Sequence, residues 1–323
     1  MKTAGVKEML DKKILRLLMK LFASFLFLWW IIFEINWTEV WSYLQKITLW
    51  QIFIYILLYI GGMMISSYKW QRLAAHKNIK LPFGDFFSSY YTATFINNFM
   101  PSFVGGDAFK SYRIGSMAQN RYKEAASSVI MDRLTGLWGA MILAIIFAAV
   151  NFAEISGNKI LLSVVGAVFS AIVFWFAVLE IFRKRRIKTS IEKMDKFLNM
   201  AINEVNRYNG KSNELWRAVF VSFVFNFIGL AGANYVLFWS LGIQIGFLDF
   251  LSVIFLISIV SSVPITINNI GIKEWAYITF FGFFGAGSAG VISVAIINRT
   301  IQMLLSFFAL PIYLREKRKK KSI

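Results

Sequence analysis

The sequence predicts an all-α polytopic membrane protein with six full spans and two re-entrant, Pro/Gly-broken hairpins in an inverted repeat. Three observations predict this fold: 58% of the 323 residues are hydrophobic, only 16% are charged, and long apolar stretches alternate with basic connections. Soluble domains average roughly 45–50% apolar and about 25% charged residues. A higher hydrophobic fraction and a lower charged fraction are both typical of a chain that lies in lipid. Residues 1–323 are expected to form a single transmembrane domain.

Six stretches are long and apolar enough to span a membrane. A spanning helix needs about 20 mainly apolar residues, because the hydrocarbon core is roughly 30 Å thick and each residue rises about 1.5 Å. The stretches are residues 14–33, 49–69, 126–150, 160–182, 215–241 and 287–314. No small-residue cleavage site follows the first stretch, so we expect a retained helix rather than a signal peptide.

Basic residues are concentrated in alternate connections between these spans. They occur in the N-terminal arm, after the second span (Lys69, Arg72, Lys77, Lys80), after the fourth span and in the C-terminal tail. The positive-inside rule then predicts that both termini are cytoplasmic, and we expect a bacterial plasma membrane. The net charge of +18 records this topology together with attraction to anionic lipid, and it requires no nucleic-acid partner.

The first broken stretch, residues 83–112, lies between two spans that both border the cytoplasm. It is therefore expected to enter from that side and return to it. Its centre contains Pro101, Gly105 and Gly106. Proline removes a backbone donor and Gly-Gly allows a sharp reversal, which favours a re-entrant hairpin that acts as a gate. A kinked core helix remains the alternative.

The second broken stretch, residues 248–284, is expected to enter from the opposite side, with Pro264 and Gly271 at its centre. Paired, interrupted hydrophobic segments in two halves of opposite orientation are typical of inverted-repeat transporters, whose binding site lies near the bilayer midplane. The predicted halves are residues 49–150 and 215–314. Residues 183–213 between them have one apolar helical face and are expected to form an amphipathic cytoplasmic connector.

Charged residues at membrane depth are costly and usually functional. The candidate substrate-binding residues are Asp107, Lys110, Asp132, Arg133, Lys273, Glu274 and Arg299, with Asn98 and Asn269 as polar partners or helix caps. Arg299 has several helical turns on either side, so it needs a carboxylate, a lined cavity or an anionic substrate. Arginine suits phosphate because its planar fork binds it bidentately. Each of these charges also has a purely structural alternative. For Asp132 and Arg133 it is an ion pair at the membrane interface, and for Lys273 and Glu274 it is an ion pair that stabilises the fold. For Lys110 it is a cytoplasmic charge that only sets the membrane topology.

The chain offers few groups for chemical catalysis. It has no cysteine and one histidine, His76, which we expect at the surface. No phosphate-binding loop of the GxxxxGK[ST] type occurs, so transport would be passive or gradient-driven. We expect no cofactor, no metal ion and no enzymatic activity.

Three sequence blocks resemble a known family. "NNFMPSFVGGDAFKSYRIG", "AASSVIMDRLTGL" and "VPITINNIGIKEWAY" are similar to motifs of the lysylphosphatidylglycerol synthase transmembrane-region family. The motif positions are Gly105, Gly106, Asp107, Lys110, Asp132, Arg133, Lys273 and Glu274. Members commonly have arginine where this chain has Lys110 and Lys273, and glycine where Asn268 and Asn269 stand.

The resemblance implies movement of an anionic, aminoacylated or polyprenyl-linked lipid between leaflets. The chain is expected to lack the soluble aminoacyl-transferase domain of two-domain members, so a separate lipid-modifying synthase is a possible partner. The alternatives are a membrane-embedded enzyme, or an accessory subunit, of lipid or lipid-linked glycan synthesis.

Overall fold

A computed structural model describes residues 18–19, 21–22, 24–27, 29–33, 35–99, 105–184, 212–263 and 266–319. Within these ranges every regular element is helical, which confirms the all-α class. Among the described residues, four helices are long and apolar enough to cross a membrane: Leu49–Ala75, Tyr122–Val150, Glu214–Ser240 and Ser288–Leu314. They fall on four of the six predicted spans. The other two correspond to the shorter apolar helices Ser24–Phe33 and Lys159–Trp175, and part of the stretch 14–33 lies outside the described residues.

The helices of the N-terminal part follow one another with short connections. They are α1 (Trp37–Leu44), α2 (Leu49–Ala75), α3 (Phe83–Phe99), α4 (Gly105–Met117), α5 (Tyr122–Val150), α6 (Phe152–Gly157) and α7 (Lys159–Lys184). Helix α2 starts at a capping box, in which the Thr48 hydroxyl accepts from the amide of Gln51 and the Gln51 side chain accepts from the amide of Thr48. Two of the first unpaired donors of the helix are thereby satisfied.

The C-terminal part repeats the same order of long and short helices. Helix α8 runs from Ser212–Phe225 through a π-helical turn, Asn226–Gly232, into Ala233–Ser240. It is followed by α9 (Phe247–Ser262), α10 (Ile272–Gly282), α11 (Ser288–Ser306) and, after a 3₁₀ turn, α12 (Leu310–Lys319). Two four-helix segments thus correspond in order, α2 to α5 in the first and α8 to α11 in the second.

The two segments meet where α2 crosses α8 at two glycines. A Cβ atom on Gly62 would lie 2.6 Å from the Cα of Gly229, and a Cβ on Gly229 would lie 2.7 Å from the Cα of Gly62. The backbones are therefore in direct contact, which only glycine allows. The segments also interlock crosswise, because α9 packs against α5 and α11 packs against α3.

The outer faces of the long helices are apolar. Phe220, Trp239 and Leu304 each expose more than half of their surface. The interior is packed with aromatic side chains in the second segment, where Phe238 and Phe281 lie 4.5 Å apart between ring centroids. An apolar exterior around a packed interior suits a lipid solvent, since lipid chains are as apolar as the side chains that face them.

Both predicted hairpins coincide with pairs of short helices. Residues 83–112 contain α3 and most of α4, and residues 248–284 contain α9 and α10. Pro101 and Pro264 lie outside the described residues, as do residues 185–211, which form almost all of the predicted amphipathic connector. The helix–break–helix pattern is therefore present in both places, whereas re-entry into the membrane stays a prediction.

Candidate functional site

A buried cluster of two lysines and one aspartate lies between α2, α4 and α5. The ammonium group of Lys69 is 3.1 Å from Oδ1 of Asp132, and that of Lys110 is 3.2 Å from Oδ2. All three residues are at most 5% exposed. Lys69 also donates to the backbone carbonyl of Asp132 at 2.8 Å and to the hydroxyl of Ser222 on α8 at 3.1 Å. One buried carboxylate therefore faces two buried ammonium groups.

Aromatic rings supply further stabilisation of Lys110. Its ammonium group lies 4.3 Å from the ring centroid of Tyr90 and 4.5 Å from that of Trp70. Such contacts stabilise a desolvated cation by roughly 2 kcal/mol. Lys110 is thus buried against a carboxylate and two aromatic rings rather than exposed as a charge that only sets the membrane topology.

The cluster opens into a central cavity of about 440 Å³. Its walls come from both segments, because Ser258 and Ser262 at the end of α9 face the residues of α2 to α5. The amide nitrogen of Asn226, at the start of the π-helical turn, lines the cavity and is buried without a hydrogen-bond partner. The remaining polar walls are Ser66, Lys69, Tyr90, Thr94, Asn97, Asp107, Lys110, Asp132 and Arg133.

Arg133 and Asp107 form an ion pair at the wall of the cavity, between Nε and Oδ2. The Arg133 side chain is 43% exposed, so the pair is partly open to the surroundings. Among the described residues that line the cavity, three side chains are cationic and two are carboxylates. The cavity therefore carries one excess positive charge, which attracts an anion.

A second cluster lies between α8, α10 and α11, and it is neutral. The side-chain oxygen of Asn234 accepts from the Tyr277 hydroxyl at 2.7 Å and from the Asn298 amide at 2.9 Å. The Asn298 oxygen in turn accepts from Tyr55 and Gln302, and the Asn234 amide donates to the Leu230 carbonyl at 2.7 Å. Both side-chain oxygens thus accept two hydrogen bonds and each amide group donates one, as expected of buried polar groups.

The two clusters occupy corresponding positions in the two segments. Lys69 and Asn234 are each the seventh residue from the end of α2 and α8. Lys110 and Tyr277 are each the sixth residue of α4 and α10. Asp132 and Asn298 are each the eleventh residue of α5 and α11. Three charged side chains in the first segment thus correspond to three neutral ones in the second.

The neighbouring ion pairs correspond in the same way, but both keep their charges. Arg133 and Arg299 are each the twelfth residue of α5 and α11, and Asp107 and Glu274 are each the third residue of α4 and α10. Arg299 binds Oε1 of Glu274 through two nitrogens, at 2.8 Å and 3.1 Å. Its side chain is 25% exposed, against 43% for Arg133.

Arg299 and Glu274 hold the turn before α10. Arg299 donates to the backbone carbonyls of Asn268 and Asn269 at 3.4 Å and 3.5 Å, while Glu274 accepts from the amide of Gly271 at 2.7 Å. Gly271 has φ 88°, and Asn268 and Asn269 also have positive φ, 48° and 56°. Three residues in left-handed backbone make the sharp reversal, and the Arg299–Glu274 pair stabilises it.

Comparison with known proteins places the chain in a family. A model of the lysylphosphatidylglycerol synthase TM region matches residues 17–309. The chain belongs to this family. A UPF0104 membrane protein of Pyrococcus horikoshii is 26% identical over 277 residues, which cover 77% of this chain and 82% of that protein. Family membership and the four long apolar helices together establish a membrane protein.

In this member of the lysylphosphatidylglycerol synthase TM region family, the three sequence blocks meet at the two clusters. The first two blocks supply Asp107, Lys110, Asp132 and Arg133, all at the central cavity. The third supplies Glu274 and Tyr277, which lie with Arg299 and Asn298 in the second segment. The chain therefore brings its predicted charges together in two groups rather than one.

Several sequence-based roles change in the structure. Lys69 was expected in a basic loop, but it lies inside α2 and is buried because Asp132 pairs with it. Gly105 and Gly106 were expected to reverse the chain, yet both are helical, and Gly106 instead allows α4 to approach α3 closely. A Cβ atom there would lie 2.6 Å from the carbonyl oxygen of Ala93, and its amide donates to the side chain of Asn97.

Three other predicted residues lie away from the cavity. Asn98 donates to the Ser306 hydroxyl at 3.0 Å, whereas its neighbour Asn97 lines the cavity. Lys273 lies 5.6 Å from the ring centroid of Tyr277. The Asn269 side-chain oxygen is buried and has no hydrogen-bond partner. Within the described part of the chain, no three His, Asp or Glu side chains converge in the manner of metal ligands.

Proposed function

We propose that this protein is a lipid flippase that moves an anionic lipid between the two leaflets of a membrane. The headgroup passes through the central cavity while the acyl chains stay in lipid. The observation that carries this proposal is the excess positive charge at the buried Lys69–Asp132–Lys110 cluster and Arg133. A buried cation without a counter-charge is costly, and an anionic phosphate headgroup supplies that counter-charge.

The cavity also has donors that suit phosphate. Lys69, Lys110 and the unpartnered amide of Asn226 converge on it from three helices. Hydrogen bonds from charged donors to phosphate are short and strong. A volume of about 440 Å³ lies within the usual range of roughly 300–1,000 Å³ for small-molecule sites. A headgroup fits such a space, whereas a whole phospholipid does not.

The matched order of helices supports an inverted repeat with six spans and two re-entrant hairpins. In this arrangement residues 49–150 and 215–314 are the two halves, and they meet at the α2–α8 crossing of Gly62 and Gly229. The hairpins act as gates, and the Arg299–Glu274 pair holds the second one. The distribution of Lys and Arg favours cytoplasmic termini in a bacterial plasma membrane.

The protein would move its substrate without changing it chemically. The name of the family refers to the transmembrane region of a synthase that acts on lipid, which supports a substrate made or modified by a separate enzyme. An aminoacylated phospholipid and a polyprenyl-linked sugar phosphate both present an anionic phosphate at the membrane surface. Either would bind the cavity through the same group.

Reconstitution into liposomes tests the proposal. Phosphatidylglycerol with a short fluorescent acyl chain reports translocation, because dithionite destroys the fluorescence of the outer leaflet only. Wild-type protein should speed the loss of fluorescence relative to empty liposomes, and more so for phosphatidylglycerol than for phosphatidylcholine with the same chains. Equal rates with and without protein would refute the flippase, and equal rates for wild type and Arg299→Ala would remove Arg299 from the mechanism.

A further inference from the structure

A second cavity of about 260 Å³ lies where the end of α2 meets the start of α8. Among the described residues that line it, four side chains are cationic or titratable bases (Lys69, Arg72, His76 and Arg217) and one is a carboxylate, Glu214. Glu214 is 2.8 Å from Arg217 and 3.5 Å from His76. Positive charge therefore exceeds negative charge in this pocket between two spans.

The rim of the same pocket is apolar and exposed. Tyr68 and Phe220 line it and expose 49% and 63% of their surface. Aromatic residues beside basic ones are typical of the membrane–water interface, where the ring faces lipid chains and the cation faces headgroups. Basic pockets between spans at this level suit anionic lipid headgroups.

Lys69 belongs to both cavities. It lines the basic pocket from one side and the central cavity from the other. Its ammonium group bridges Asp132 on α5 and Ser222 on α8. Lys69 is therefore the lining residue that the two cavities share.

We infer that the basic pocket between α2 and α8 is the loading site for the phosphate of an anionic phospholipid. Arg72 and Arg217 bind the phosphate, the acyl chains lie against Tyr68 and Phe220, and Lys69 leads the headgroup to the central cavity. This inference rests on the proposed flippase function for its purpose. The binding itself is measurable without any transport.

Native mass spectrometry of the full-length protein tests the pocket. The probes are dioleoyl phosphatidylglycerol, dioleoyl phosphatidylcholine with the same chains, and sn-glycerol 1-phosphate, which carries the phosphate without chains. Wild type should bind phosphatidylglycerol about tenfold more tightly than phosphatidylcholine, since the nearby cations attract an anionic lipid. Arg72→Gln/Arg217→Gln should lose that preference, and Arg72→Lys/Arg217→Lys should keep most of it.

A matched control removes the same charge elsewhere on that end of the bundle. Lys80 and Lys123 are exposed and line neither cavity. Lys80→Gln/Lys123→Gln should bind phosphatidylglycerol as wild type does. If it loses the preference equally, diffuse surface charge explains the binding and the pocket is refuted. Full competition by sn-glycerol 1-phosphate at the lipid's concentration would also refute a lipid site.

The liposome assay separates failure of the pocket from failure of the flippase. Loss of lipid preference in Arg72→Gln/Arg217→Gln, with a translocation rate that falls at low phosphatidylglycerol content and recovers at high content, supports the loading site. An unchanged preference in that variant refutes the loading site even if translocation proceeds. Preferential binding in a wild-type protein that translocates no lipid refutes the flippase and leaves the lipid-binding pocket standing.

Discussion

The charged cluster in the first segment and the neutral cluster in the second have the same positions but opposite character. Lys69, Asp132 and Lys110 carry a net positive charge and border a cavity. Asn234, Asn298 and Tyr277 satisfy one another with hydrogen bonds. The neutral cluster carries no charge that would offset an anionic ligand, whereas the first cluster carries an excess positive charge. The two places differ in residue chemistry rather than in helix geometry, and we propose that this difference makes the first of them the binding site.

The largest expected effect comes from removing the carboxylate of the charged cluster. Asp132→Asn leaves Lys69 and Lys110 buried without a counter-charge, which should cost about 3–5 kcal/mol of stability. Thermal unfolding in detergent measures the loss. The double variant Lys69→Gln/Asp132→Asn should recover part of it, because one of the two unpaired charges is gone. Unfolding at the wild-type temperature in Asp132→Asn would show that the cluster is not buried as described.

The next effect concerns transport rather than stability. Lys110→Gln leaves Asp132 paired with Lys69, so the protein should stay folded. The excess positive charge disappears, and the rate of phosphatidylglycerol translocation should fall by about tenfold or more, since hydrogen bonds to charged groups contribute roughly 1.5–3 kcal/mol.

The corresponding position in the neutral cluster provides the control. Tyr277→Phe removes one hydrogen bond from Asn234 and should lower stability by about 1 kcal/mol with little effect on transport. If Tyr277→Phe slows translocation as much as Lys110→Gln does, the two clusters are functionally equal and the comparison is wrong.

The crossing between the segments is expected to be sensitive to a single methyl group. Gly62→Ala places a Cβ atom against the backbone of Gly229 and should destabilise the protein by about 1–3 kcal/mol, as overpacking does. Its neighbour Gly61 has no atom within 4 Å of a built Cβ, so Gly61→Ala should be neutral or slightly stabilising. Equal melting temperatures for the two variants would contradict the close crossing.

The smallest expected difference separates the two ion pairs. Glu274→Gln weakens the contact with Arg299 and the acceptor for the Gly271 amide, and should cost about 1–2 kcal/mol. Asp107→Asn breaks a pair whose arginine is 43% exposed, and should cost no more than about 1 kcal/mol. Thermal unfolding of the two variants side by side measures the difference. A larger loss of stability in Asp107→Asn would show that Asp107–Arg133, rather than Glu274–Arg299, is the ion pair that stabilises the fold.

Some of the site was accessible to sequence reasoning. Asp132, Arg133 and Lys110 stand out because charges within long apolar stretches are rare. Lys69 also lies at the end of a long apolar stretch. Because it is close to the basic residues Arg72 and Lys77, the sequence places it among the cytoplasmic charges that set the membrane topology. Asn226 had no distinguishing signal, since a single asparagine in an apolar helix occurs commonly as a packed polar residue. Its role depends on the π-helical turn and on the cavity that the turn borders.

The role of the glycines in the two predicted hairpins could not be predicted from the sequence. The pair Gly105–Gly106 predicts a reversal, but the same residue type also serves where two helices approach closely, as Gly106 does beside Ala93. In the second predicted hairpin the left-handed backbone falls on Asn268, Asn269 and Gly271. Sequence identifies where backbone freedom is available, and packing decides whether it is used for a turn or for contact.

The sequence by itself determined the membrane class, the positions of the long helices and the two interrupted segments. Each of these properties depends on residues that are close together in the chain, since hydropathy and helix-breaking residues act locally. Tertiary structure alone decided that Lys69, Lys110 and Asp132 form one charged site and that Asn234, Tyr277 and Asn298 form its neutral counterpart. These residues come from separate helices, and only the packing of those helices brings one carboxylate within reach of two ammonium groups.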